Sequence, residues 1–166
     1  MYRSIDDFAE NWNFETEATA KVLANLTDAS LATCARAGER TLGFVAWHIV
    51  TTIPEMLPQA GVACAGPASN APVPTSAKAI ADAYAKAAVL VVPAVRKAWT
   101  DAQLSDMIPM YGEQWPKRAV LNALINHQTH HRGQMTTLMR QAGLKVPGIY
   151  GPAREEWAQY GLPQHP

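Results

Sequence analysis

Four of the chain's five histidines stand where they could act together: His48, then His127, His130 and His131 inside the stretch NHQTHHRGQ at 126–134. An imidazole can ligate a transition metal, move a proton near neutral pH, or sit as a polar passenger on a helix. His127 and His131 have the i, i+4 spacing of neighbours on one helical face. Their Cβ atoms then lie about 6 Å apart and their directions differ by roughly 40°, so both rings can reach one ion. His130 is one residue out of phase, beside that line. It is assigned to packing or to orienting a ligand rather than to the ligand set. His165 sits in the Pro-flanked terminus and is read as solvated.

For these rings to converge, the elements carrying them must turn them inward. Val120, Leu124, Met135 and Leu138 mark the apolar stripe of a helix that Pro116 opens and Gly143 closes. Steps of three and four along that stripe land on His127 and His131. An upstream helix, from Thr41 to about Leu57, carries Leu42, Val45, His48, Ile49 and Thr52 on one line, with Pro54 and Pro58 bending or ending it. His48 therefore faces inward too. Any one of these rings taken alone is read as a core histidine bonded to a carbonyl or hydroxyl. Three on inward faces, two of them at ligand spacing, tip the reading towards a divalent transition metal with an open position.

Two further helices complete the pattern. The first opens at SIDD, where Ser4 can cap and Asp7 can close the box. It carries Phe8, Trp12, Val22, Leu23 and Leu26 on one face, interrupted by Thr16 and Thr19, and stops near LTDASL. The third begins at TSAK and runs to about Trp99, with a kink expected at Pro93. Residues 61–74 and the segment TDAQLSDMIPMYGEQW read as loops, and one short helix fits around Ala153 to Gln159. No segment shows the sustained alternation of a strand. The expectation is an all-α, four-helix bundle with at least one long connection, residues 1–166 forming a single domain.

Composition narrows the function classes. The 166 residues are 48% hydrophobic and 17% charged, and 14 basic residues balance 14 acidic ones, so the net charge is zero. A chain without a basic face lacks the footprint of a nucleic-acid binder. Acids at the N-terminus argue against a signal peptide, and the apolar run AVLVVPAV is too short to span a bilayer. Cys34 and Cys64 lack CxxC spacing and are read as buried free thiols, which suits the cytoplasm. Spacing removes some chemistries as well. A zincin would need Glu where Gln128 stands, and a di-iron bundle would need a Glu three residues before a His.

The motifs TLGFVAWHIV, YGEQW, HQTHHRGQMTTLMRQAGLKVPG and IYGP resemble the DinB family, also called DinB/YfiT-like, over most of the chain. That resemblance implies an up-down-down-up four-helix bundle, a homodimer, and nickel or zinc held by His48, His127 and His131. It also brings in thiol-dependent relatives, S-transferases and isomerases, beside many members without a known reaction. Two functions follow. One is a metal-dependent enzyme that activates a low-molecular-weight thiol, or water, against a small electrophile. Gln134 and His130 would support its ligands, and Arg132 and Arg140 are candidate anion contacts, both more simply read as solvated helix charges or ion pairs. The other is a structural or stress-response domain that the metal stabilises without turnover. The absence of a good fourth ligand favours the enzyme, since Cys34 and Cys64 lie near loops.

Overall fold

The computed structural model describes residues 2–163, so His165 lies outside the described residues. Four long helices dominate: α1 (Ile5–Leu23), α2 (Leu42–Gln59), α3 (Ala77–Ala98) and α4 (Lys117–Gln141). Their starts are written in the local sequence. The Ser4 hydroxyl accepts from the Asp7 amide while the Asp7 carboxylate reaches back to the Ser4 amide, a reciprocal cap. Thr41 and Ser76 cap α2 and α3 in the same sense. Pro116 immediately precedes α4, and Gly143, at φ +72°, follows its C-terminal cap in the left-handed region.

Contacts between ends fix the directions. The Ile5 amide donates to Asp101 just past α3, and the Ala77 amide donates to Asp28 just past α1, so α1 and α3 run antiparallel. Lys117 at the start of α4 lies over the Trp99 ring at the end of α3, which reverses the chain again. Gly43 in the first turn of α2 lies against Leu31, in the turn just past α1 that also meets the start of α3, so α2 runs against α1 and alongside α3 and the order is up-down-down-up. One apolar core runs through all four helices, from Phe8 and Trp12 to Leu121 and Met139. Trp12 and Trp99 are buried within the chain, the Trp12 indole donating to the Ala88 carbonyl. No described helix is long and apolar enough to cross a membrane.

Several expectations need correction. The segment before α4 is not all loop. A 3-10 turn (Asp101–Ser105) leads into an antiparallel hairpin of β1 (Met107–Met110) and β2 (Glu113–Pro116). Four-residue strands, each containing a proline, are too short to show alternation. The turn uses Tyr111 and Gly112, both at positive φ, in place of the usual Asn-Gly signal. Pro54 and Pro58 do not end α2, which continues to Gln59, whereas α3 passes Pro93 and reaches Ala98 as expected. The tail forms only a four-residue 3-10 turn (Trp157–Tyr160) instead of a helix from Ala153. Cys34 and Cys64 are free but only half-buried, because both belong to connections that cover the core from outside.

Candidate metal centre

The α2–α4 contact brings His48, His127 and His131 to one place. Their ring centroids are 4.8, 4.7 and 4.4 Å apart pairwise. The nearest ligand-capable nitrogens of all three lie within 4.8 Å of one another, and His48 Nε2 stands 3.1 Å from His127 Nε2. A tetrahedral zinc–imidazole site has neighbouring nitrogens about 3.3 Å apart; the His48–His127 pair is near that spacing, and the three residues together could hold a metal ion. Among the described residues, no carboxylate or cysteine joins the cluster.

Local structure sets each ring. On α2 the buried Val45, Ile49 and Thr52 flank His48, whose carbonyl accepts from the Thr51 and Thr52 hydroxyls. Phe44, one turn earlier, stacks on the His48 ring at 6.0 Å and 18°. On α4 the buried line passes through Val120, Leu124, Gln128, His131, Met135 and Leu138, which carries His127 and His131 to the inner side. His131 Nδ1 is 2.8 Å from Gln134 Oε1, and the Gln134 amide nitrogen is 3.1 Å from His130 Nε2. The amide resolves both contacts in one way: Nδ1–H of His131 donates to Oε1, and Gln134 donates to His130. His131 thereby presents a bare Nε2. His130 is exposed and attends His131 through Gln134 without joining the cluster.

Burial and mutual repulsion keep all three rings neutral. Burial, reinforced by the other histidines, pushes His127 down to about 4. His48 is lowered by burial first, then by His131 and Arg40, against a small opposing pull from Glu55. His131 is lowered by burial, partly offset by its bond to Gln134. Neutral imidazole is the form that donates a lone pair to a metal.

One opening reaches the cluster, and a second lies one helical turn away. One, about 320 Å³, is lined by His48, Thr51, Thr52, Glu55 and Ser69. Glu55 there accepts from the Tyr111 hydroxyl at the hairpin tip and from the Gln59 amide. The other, about 350 Å³, lies beyond His131 and is lined by Arg40, Val45, Gln134 and Leu138 among others.

Behind the cluster is a polar layer that sequence reasoning did not assemble. Arg132 forms the ion pair that its simpler reading allowed, but inside the bundle rather than in solvent. It is sealed between helices, with Nη2 2.6 Å from Glu15 Oε2 and Nη1 donating to the Glu15 carbonyl and to Thr19 Oγ1. The Tyr150 hydroxyl lies 2.5 Å from Arg132 Nη2 and donates to the Glu15 carboxylate at 2.8 Å, so the IYGP segment is tied to this pair. Beside it, Gln128 Oε1 accepts from the Tyr84 hydroxyl at 2.7 Å. Thr19, which interrupts the apolar stripe of α1 and bonds both Arg132 and Gln128, was the visible signal that a polar partner was needed there. Arg140 pairs with Glu155 at the surface.

The profile of the DinB family matches residues 1–165. The chain belongs to the DinB family. Within that family's range it is 49% identical over 162 residues to the uncharacterized protein YrdA of Bacillus subtilis, covering 98% of this chain and 97% of the relative. A crystal structure of a DinB-like protein from Bacillus cereus ATCC 10987 is similar at TM-score 0.86 and 51% identity, covering 90% of this chain and all of the other. The DinB-like protein YjoA of B. subtilis, at TM-score 0.67 and 16% identity over 88% of this chain and 98% of that one, shares the fold.

Proposed function

We propose that this DinB protein is a divalent-metal-dependent enzyme, with nickel or zinc held by His48, His127 and His131, that activates a low-molecular-weight thiol, or water, against a small electrophile. The convergence of three neutral imidazoles without a carboxylate carries this reading. When bound, such an ion would supply Lewis acidity, lowering the pKa of a water in its open position to about 7 and deprotonating a thiol there outright. Neutral ligands leave its charge undiminished, which strengthens that effect.

The chain's own residues do the rest. Gln134 holds His131 in the tautomer that offers Nε2, and Phe44 stacks against His48. Glu55, in the cavity beside His48, is a carboxylate able to take up the proton a nucleophile releases. A homodimer and a cytoplasmic, reducing setting belong to the same reading, and light scattering of the purified chain tests the first.

Elemental analysis is expected to find about one transition ion per chain in wild type and little in His127→Ala, since two ligands hold an ion poorly. Equal contents would remove the site. A panel of bacillithiol, mycothiol and glutathione with monochlorobimane or an epoxide tests turnover. The expected result is a rate that chelation abolishes and metal restores. If metal binds and stabilises the fold but no thiol or water reaction depends on it, the centre is structural.

A further inference from the structure

The cavity beyond His131 contains a charge that the trihistidine centre does not use. Arg40 stands just before the N-terminal cap of α2 and is exposed. Its guanidinium lies 5.1 Å from the centroid of the Phe44 ring, and Phe44 in turn stacks on His48. Arg40 has no carboxylate within ion-pair distance among the described residues, and it differs from the other arginines without one in lining a cavity beside Phe44. Glu39 lines the same cavity but does not pair with it. The other walls are Ala35, Val45, Thr137, Leu138 and Gln134. Val45 and Gln134 are each three residues from a cluster histidine, which places this cavity one helical turn from the centre on both α2 and α4.

We infer that Arg40 is the anion-binding group of the site, selecting ligands that carry a carboxylate a few bonds from the atom presented to the trihistidine centre. The inference rests on the proposed metal centre and adds the substrate class. The guanidinium is planar and offers paired N–H donors, which suits a carboxylate better than a point charge would. Stacking on Phe44 orients it without consuming those donors. With a dipositive ion bound, neutral histidines on one side and an unpaired guanidinium on the other make the region strongly cationic. The ~350 Å³ cavity has room for a small acid.

The test measures binding to zinc-loaded protein by calorimetry, after metal content has been measured for each variant. Three probes separate the contributions: 3-mercaptopropionate, its methyl ester, and propionate. Arg40 is exposed and ahead of the helix, so Arg40→Gln should keep the wild-type melting temperature and metal content. Wild type is expected to bind the free acid roughly tenfold more tightly than the ester, the effect of a charge-assisted bond. Arg40→Gln should bring the two together, and Arg40→Lys should retain part of the preference. Propionate binding that depends on Arg40 would place the carboxylate on a partner of the thiol as well as on the thiol itself. Binding confined to the mercaptan acid would place it on the thiol alone. Metal-loaded protein with no preference for the acid, or a preference unchanged in Arg40→Gln, overturns the inference while leaving the centre intact. A wild type that binds no metal overturns the centre and the inference together.

Discussion

Arg132 is almost wholly buried, at 2% side-chain exposure, and its neutralisation depends on Glu15 at 7%. Taking either charge away leaves the other stranded in a medium that solvates it poorly. Arg132→Met is therefore expected to cost about 3–5 kcal/mol of folding stability, read from the urea midpoint. Combining it with Glu15→Leu should recover much of that loss, since a buried pair replaced by apolar groups is often neutral. A double-variant loss equal to the sum of the two single losses would show that the pair is not coupled. The depressed His127 pKa sets a second expectation for the metal-free chain. Its folded form resists protonation down to about 4, whereas the unfolded form takes up a proton near 6.5. The stability it contributes is thus present above about pH 6.5 and lost as pH falls towards 4. Melting curves across that window should slope less steeply in His127→Asn than in wild type.

Two glycines show how the helices meet their surroundings. Gly133 lies in the interior of α4, exposed, with nothing within 4 Å of where a Cβ would stand. There Gly→Ala removes backbone freedom from the unfolded chain and should stabilise by about 0.5–1 kcal/mol. Gly43, in the first turn of α2, is the opposite case. A Cβ there would come within 3.1 Å of both Leu31 Cβ and the Leu31 carbonyl oxygen. The 3-10 turn Asp28–Ala32 packs directly on α2 at that point. Gly43→Ala is expected to lower the melting temperature despite alanine's better helix propensity, and a rise would mean that the turn yields freely. Since His48 follows one turn later, metal affinity should fall along with it.

Across the whole molecule, the cluster joins two helices that are remote in sequence. A bound ion would add its binding energy to the α2–α4 interface and shift folding by mass action. Adding zinc or nickel to metal-free protein should raise the melting temperature of wild type, with no comparable rise in His48→Ala. An equal rise in both would place the bound metal elsewhere. Chelation of loaded protein should lower the melting temperature without unfolding the chain, because the apolar core from Phe8 to Met139 does not pass through the metal.

The helices, their caps and the inward phase of His127 and His131 could be read from the chain itself, because each is set within a few residues. Ser4 with Asp7 caps locally, and the i, i+4 spacing is a property of one helix. The meeting of His48 with the α4 pair was not local. It required α2 and α4 to be neighbours, which core packing determines and which the family resemblance supplied as an expectation. Glu15, Arg132 and Tyr150 are bonded across 117 and 135 residues of sequence, so each polar residue looked isolated until the bundle closed. The β1–β2 hairpin escaped notice because its strands are shorter than the period needed to reveal them. Short-range hydrogen bonding and periodicity act along the chain, whereas the partner of a buried charge, or of an inward-facing imidazole, is chosen only when separate helices share one interior.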